Sequence, residues 1–254
     1  MKSKICLLLM VLCILVATPA NLWAGDFSTL NFIGFSKDGK YLAFEEYGTG
    51  DASGFPYANV YFVDVEKNTF VGKPFEVMFE NEKATEAAAI RNVEAQAARR
   101  MRTLKIVRGN TGKLLLAHFL TDVTYDALTD NSDDSAPQKV RFEIDAYPDG
   151  QDKFYELSLN HIPVKPQGCD DDSGVYSFNL LDLKLDYYYA KEKAEPSRIL
   201  QKDDALPMRR GCALNYRIER VYYYKDKIAV FLNVYYRGFE GPDMRYMVVT
   251  GNLQ

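Results

Sequence analysis

The sequence predicts a mostly β protein of antiparallel sheets, sandwich-like or partly propeller-like, with one long amphipathic helix near residues 81–105. The prediction depends on β-prone runs separated by turn residues over most of the chain, and on one Ala/Glu/Arg-rich stretch with helical spacing. No Pro/Ser-rich linker marks a domain boundary. We therefore expect residues 25–254 to form a single β-rich secreted domain, since about 230 residues can bury a substantial core.

Residues 1–24 have the pattern of a secretory signal peptide. Lys2 and Lys4 precede an uninterrupted apolar run that is too short to span a bilayer comfortably, and small residues follow it. We place cleavage after Ala24, with Ala20 as the alternative. The expected product of this Sec-type signal is a secreted or periplasmic protein with no transmembrane anchor after cleavage.

Cleavage changes both the charge and the cysteine count of the chain. It removes two lysines and no acidic residue, so the formal net charge falls from -4 to -6. A moderately acidic protein is not an obvious partner for nucleic acid or for an anionic membrane. Two cysteines remain, Cys169 and Cys212, and in an exported chain they most simply form a disulfide. A reactive thiol or redox pair is the alternative, although the chain has no C-x-x-C spacing.

The first part of the predicted domain reads as an antiparallel meander. Asp38-Gly39 is a hairpin signal between the β-prone runs 31–36 and 41–47, and a further run covers residues 59–65. The helical pattern then begins at Asn81, which we predict to be its N-cap. Its apolar stripe consists of Ile90, Val93, Ala97, Met101 and Leu104.

Charge at the end of the predicted helix has two interpretations. Arg99, Arg100 and Arg102 could bind a phosphate or a polyanion, or they could simply complement the helix dipole and face water. The acidic stretch 122–134 also has two interpretations. Its aspartates could bind calcium, but they lack the EF-hand order, so a solvated loop is the simpler interpretation.

Strand patterns return after the helix. The run 114–120 is nearly continuously apolar and is typical of a central strand, whereas 139–145 alternates and indicates a half-exposed one. Near the C-terminus, Lys225-Asp226 is predicted to be a tight turn between the runs 218–224 and 227–236. In the second run, residues 231–235 are mostly apolar on both faces. We expect this strand to lie in the interior of a sheet or sandwich.

The corner, residues 238–243, joins the last two predicted strands. Its glycines permit backbone angles closed to other residues, and its proline fixes a turn. An aromatic and an acidic residue remain unexplained by turn formation, with charged neighbours beside them. These side chains form a possible binding loop, although each is also ordinary at a hairpin corner. The candidate residues are Arg237, Phe239, Glu240, Asp243 and Arg245.

No catalytic residue, metal ligand or cofactor site is assigned from the sequence. Nucleophile-elbow, zinc-helix, phosphate-loop and dinucleotide motifs do not occur in it. Glu45 and Glu46 are adjacent on a predicted strand, so they point to opposite faces and cannot form a glycosidase pair by themselves. Outward rings of the tyrosine clusters 187–189, 222–224 and 235–236 could stack on sugars or a peptide, or could simply suit half-buried strands.

Several of these motifs resemble those of a known family. They are Gly34-Phe35-Ser36, the turn Asp38-Gly39-Lys40-Tyr41 with Ala43-Phe44-Glu45, Arg210-Gly211-Cys212 and the corner Gly238-Phe239-Glu240-Gly241-Pro242-Asp243. In these residues the chain is similar to bacterial predicted secreted proteins that share domain of unknown function 2259. The resemblance implies export and a β-rich body, and it supplies no reaction, cofactor or assigned site. A narrower similarity links residues 37–44 to the repeats of TolB-type propellers.

From these observations we expect an exported bacterial protein that acts as a non-catalytic binding or envelope-interaction module. Its expected partner is an envelope protein or polymer of unknown identity. The alternatives are a hydrolase acting on a cell-envelope polymer and a TolB-like scaffold for protein interactions. Convergent carboxylates beside an open tyrosine face would favour the hydrolase.

Overall fold

The structure is a computed structural model, and it describes residues 25–81, 83–118, 138–144, 153–165, 169, 178–190, 192–205, 210–238 and 241–253. These residues contain one helix, α1 (Glu86–Thr103), and fourteen strands. The strands are β1 (Thr29–Phe35), β2 (Tyr41–Thr49), β3 (Pro56–Asp64), β4 (Thr69–Phe70), β5 (Phe75–Met78), β6 (Lys113–Ala117), β7 (Gln138–Phe142), β8 (Lys153–Val164), β9 (Phe178–Tyr189), β10 (Glu192–Lys193), β11 (Arg198–Lys202), β12 (Asn215–Tyr224), β13 (Lys227–Arg237) and β14 (Pro242–Asn252).

The strands form three antiparallel sheets, which confirms the predicted fold class. In the first sheet β1, β2 and β3 are neighbours, and β3 also pairs with β4 and β5. The middle sheet has the order β14-β13-β12-β6. The outer sheet has the order β10-β9-β8-β7, and β11 pairs with β9 as well. Repeated propeller blades are not found among the described strands, and no described sheet closes into a barrel.

Burial shows that helix and sheets stack in four layers. Helix α1 packs on the first sheet around Ala43 and Val60, and the other face of that sheet packs on the middle sheet around Phe44 and Phe231. The far face of the middle sheet then packs on leucines of the outer sheet. The middle sheet is therefore covered on both sides, and each covered face removes apolar surface from water.

Strand β13 shows this double burial directly. Ile228, Val230 and Leu232 belong to the core shared with the outer sheet. Ala229 and Phe231 alternate with them and belong to the core shared with the first sheet. The predicted interior position of residues 231–235 is confirmed. By contrast, the prediction that the strand at 114–120 is central is wrong for its described part, since β6 lies at the edge of the middle sheet and Leu114 is 49% exposed.

Helix α1 is real but begins later than the sequence indicated. Thr85, not Asn81, is its N-cap, because the Thr85 hydroxyl accepts a hydrogen bond from the backbone N–H of Ala88 at 3.2 Å. The helix therefore has about five turns. Arg100 near its end donates to the carbonyl oxygens of Val71 and Lys73, so this arginine serves the packing of the helix on the first sheet.

The two predicted tight turns are present. Gly39 has φ 77° in the β1–β2 hairpin, a left-handed backbone that glycine adopts without strain. Lys225 and Asp226 have φ 49° and 61° between β12 and β13, as a two-residue hairpin turn requires. A further connection comes from Cys169 and Cys212, whose sulfur atoms lie at bonding distance, 1.94 Å.

Candidate functional site

The structure places three of the five predicted loop residues. Arg237 is the last residue of β13, and Asp243 and Arg245 lie at the start of β14. Phe239 and Glu240 lie outside the described residues. The strands on either side of the corner are paired in register from Arg237↔Pro242 onward, so its two ends are held close together.

Hydrogen bonds and an ion pair hold the first residues of the predicted mature chain beside the corner. The Asp26 carboxylate accepts from Arg245 at 2.6 Å and from the Tyr57 hydroxyl at 2.8 Å, and the Arg245 guanidinium lies 4.9 Å from the centre of the Tyr57 ring. The backbone N–H of Asp26 donates to the Asp243 carboxylate at 2.9 Å. Asp243 and Arg245 are thus engaged within the protein, and their main contribution is to hold the base of the corner.

Glycine has a different role at the corner from the one the sequence indicated. Neither Gly238 nor Gly241 has a left-handed backbone. A Cβ at Gly238 would instead lie 2.3 Å from the Gly241 carbonyl oxygen, so the need for glycine there is lack of space. The expectation about backbone angles was therefore wrong at both positions.

Two adjacent glutamates on β2 are buried on opposite sides of the first sheet. Glu46 faces the middle sheet, where it accepts from the Tyr61 hydroxyl at 2.7 Å and from the Tyr246 backbone N–H at 2.8 Å. Glu45 lies on the helix side and accepts from the Asn31 amide at 2.9 Å. Burial raises the pKa of both carboxyls, and these hydrogen bonds offset only part of the rise.

A second polar cluster lies on the side of the outer sheet that faces away from the middle sheet. Leu157 and Leu185 point into the core, so their strand neighbours Glu156 and Asp186 point outward. Glu156 and Asp186 are direct cross-strand partners. We call this surface the polar face; its strand residues include Lys139, Arg141, Phe154, Glu156, Asp182, Lys184, Asp186, Tyr188, Lys193 and Lys202.

Two acids of the polar face, Glu156 and Asp186, are paired with cations. Glu156 contacts the Lys139 ammonium at 3.1 Å and the Arg141 guanidinium at 2.7 Å, and Asp186 contacts the Lys193 ammonium at 2.7 Å. Burial alone would raise the pKa of Glu156 and of Asp186. The contacts with these cations outweigh burial and lower both pKa values.

Aromatic rings complete this cluster. The Phe154 and Tyr188 rings stack with their centroids 4.6 Å apart, and the Arg141 guanidinium lies 5.0 Å from the centre of the Phe154 ring. One face of the Tyr188 ring is thus occupied by Phe154, and Tyr235 is buried in the core. The tyrosine clusters mainly build the protein, as half-buried strand positions favour.

The polar face was not predicted from the sequence. Its signal was present as alternation, because Phe154-x-Glu156 and Asp186-x-Tyr188 place an acid and a ring on one side of each strand. What the sequence could not supply was the register that sets Glu156 opposite Asp186. Which residues pair across two strands depends on how the strands are aligned in the folded protein, and the pattern within one strand does not determine that alignment.

Neither a metal-binding cluster nor a membrane-spanning helix is found among the described residues. The part of the chain that the structure describes contains no group of three or more His, Cys, Asp or Glu side chains arranged to hold a metal ion. No described helix is both long enough and apolar enough to pass through a bilayer. The acidic stretch 122–134 lies outside the described residues.

Layered antiparallel sheets with one helix and a bonded cysteine pair define a mostly β, sandwich-like protein. The model of the family described as predicted secreted protein (DUF2259) matches residues 43–252. The chain belongs to this family, as its motifs indicated. A comparison with curated proteins gave no match.

Proposed function

We propose that the mature chain is an exported, non-catalytic module that binds a component of the bacterial cell envelope. Membership of a secreted family supports export. The signal-peptide pattern of residues 1–24 and the Cys169–Cys212 pair support a secreted or periplasmic location, because disulfides persist in oxidising compartments.

The observation that carries the binding role is the polar face. The buried carboxylates of Glu156 and Asp186 lie beside partly exposed cations, which lower the pKa of each and so hold charge in place. A catalytic acid near neutral pH needs a raised pKa so that it carries a proton to donate. The lowered pKa values of Glu156 and Asp186 therefore favour recognition over proton transfer.

The corner offers a second contact in this proposal. Arg245 and Asp243 brace its base through Asp26, and Arg237 stands exposed at the end of β13. Phe239 and Glu240 would then be the groups that meet the partner. Exposed loop residues on a rigid base are a common arrangement for recognition.

A hydrolase acting on an envelope polymer is the second candidate function. The observation that favours it is the direct cross-strand pairing of Glu156 with Asp186, since glycosidases use two facing carboxyls. The two candidates differ in what they predict for Glu156→Gln. A hydrolase loses turnover completely, whereas a binding module has no turnover to lose.

Sedimentation with cell-envelope material tests the proposal. Mature protein, purified after export and checked by N-terminal sequencing, is mixed with isolated envelopes and centrifuged. We expect the protein to enter the pellet and to release no soluble fragments from the envelope. Protein that stays in the supernatant refutes binding, and fragments whose release depends on Glu156 establish the hydrolase.

A further inference from the structure

We infer that the polar face binds an acidic polysaccharide, a linear polymer of sugar rings that carry carboxylate groups. This inference rests on the proposed function and names the chemistry of its ligand. It depends on three observations: the sign of the charge on this face, the availability of its cations, and the aromatic pair between them.

The first observation is a local reversal of charge. The strand residues of the polar face include five cations and three acids, whereas the mature chain has a net charge of -6. The cations are Lys139, Arg141, Lys184, Lys193 and Lys202, and the acids are Glu156, Asp182 and Asp186; the exposed Glu143, just beyond the end of β7, adds a fourth acid on this side. A positive surface on an acidic protein attracts anions to one place and repels them elsewhere, which selects an anionic ligand and its orientation.

The second observation is that the cations remain accessible. The side chains of Lys139 and Arg141 are 56% and 67% exposed although each contacts Glu156. Arg141 uses its Nε atom for that contact, and among the described residues its terminal Nη atoms have no hydrogen-bond partner. These Nη donors can therefore engage a carboxylate of the ligand.

Spacing within the face suits a repeating anion. Lys139 and Arg141 are two residues apart on β7, which places their Cα atoms about 7 Å apart along the strand. Lys193 on β10 lies on the far side of β8 and β9. Successive charged groups of a linear polymer could thus meet cations on both sides of the Phe154–Tyr188 pair.

The third observation distinguishes sugars from other anions. The stacked Phe154 and Tyr188 rings form an apolar strip between the cations of β7 and Lys193. Sugar rings present C–H groups to the exposed parts of these two half-buried rings, whose mutually stacked faces are occupied, while their carboxylates reach the cations on either side. A polyphosphate chain has no apolar groups to place there, so the aromatic strip favours a polysaccharide.

The test uses the mature protein and alginate, a polymer of uronate sugars. The variant is Lys139→Gln/Arg141→Gln/Glu156→Gln, which removes the acid together with its cations and so leaves no buried charge unpaired. We expect this variant to bind alginate about tenfold more weakly, the loss of about 1.4 kcal/mol. Binding by the unchanged protein should also weaken as salt is raised, because salt screens exposed charges.

The matched control removes two exposed arginines from the other side of the molecule. Arg99→Gln/Arg102→Gln on α1 should leave alginate binding unchanged, and it also tests the alternative that the helix end binds polyanions. A second variant, Lys202→Gln, weakens the polar face without touching Glu156. Thermal denaturation verifies that each variant is folded, and Lys202→Gln keeps the test decisive if the triple variant is not.

Comparison ligands decide between the possible sources of negative charge. Dextran should not bind, and polyphosphate or vesicles with anionic lipid should bind more weakly than alginate. The inference is overturned if alginate fails to bind, if polyphosphate or vesicles bind more tightly, or if the helix variant loses binding instead. Envelope sedimentation that persists without alginate binding would retain the proposed function and reject only this ligand.

Discussion

At the residue scale, Glu45 and Glu46 show that the same type of side chain finds different hydrogen-bond partners on the two faces of one strand. Glu46 accepts from three donors of the first and middle sheets, whereas one oxygen of the fully buried Glu45 has no hydrogen-bond partner among the described residues. An ionised carboxylate is costly in such a place. Protonation of Glu45, on the helix side of β2, would therefore stabilise the folded protein.

This burial gives a prediction with a defined sign. Because the folded-state pKa of Glu45 is raised, its ionisation destabilises the fold progressively as pH rises above the ordinary value of 4.5. Glu45→Gln removes the ionisable group and therefore removes this loss of stability. We expect the variant to gain stability relative to the unchanged protein between pH 5 and pH 8, as measured by urea unfolding at several pH values. Parallel stability curves for the two proteins would contradict the prediction.

Gly25 provides a second prediction at this scale. A Cβ at this position would lie 2.2 Å from the Pro242 carbonyl oxygen, whereas one at Gly241 would come no closer than 3.9 Å to its nearest contact. We expect Gly25→Ala to displace the Asp26 contacts and to destabilise the protein by about 1–3 kcal/mol. Gly241→Ala is the control in urea unfolding. Equal effects of the two substitutions would show that the first residues do not pack as described.

At the element scale, the sequence predicted what local pattern determines. The helix was recognisable from its apolar spacing, and the hairpins from Asp38-Gly39 and Lys225-Asp226. The helix start was misplaced because Asn81 and Thr85 are both acceptable caps, and the choice depends on where the helix meets the first sheet. Strand β6 was misjudged because an apolar run does not reveal whether a second neighbour exists.

The corrected helix start can be tested directly. Thr85→Ala removes the hydroxyl that accepts from the Ala88 N–H, and we expect it to destabilise the protein by about 1 kcal/mol. Asn81→Ala should have little effect, because Asn81 lies outside α1. Chemical denaturation of both variants measures the difference. The reverse order of effects would restore Asn81 as the cap.

At the scale of the whole molecule, the stacking order of the layers could not be predicted from the sequence. Apolar side chains on both faces of β13 indicated that both faces are covered, but they did not indicate which sheet covers each face. The candidate site was likewise predictable only in part. The residues flanking the corner were visible as a motif, whereas the polar face exists only once β7, β8 and β9 are paired in register.

The Cys169–Cys212 disulfide stabilises the molecule as a whole, because it joins distant parts of the chain. It spans 43 residues, and closing a loop of that length stabilises the folded chain by about 4 kcal/mol in the chain-entropy model. We expect Cys169→Ser/Cys212→Ser to lower the unfolding midpoint, and the unchanged protein to show no free thiol before reduction. Two titratable thiols in the exported protein would contradict the structure.

The central claim is that the polar face is where the exported protein meets its partner in the envelope. Hydrogen exchange measured by mass spectrometry, with and without envelope material, tests this most directly because it locates the contact along the chain. We predict slower exchange in β7, β8 and β10 on binding, with α1 unchanged. Protection confined to α1, or no change in any strand of the outer sheet despite binding, would contradict the claim.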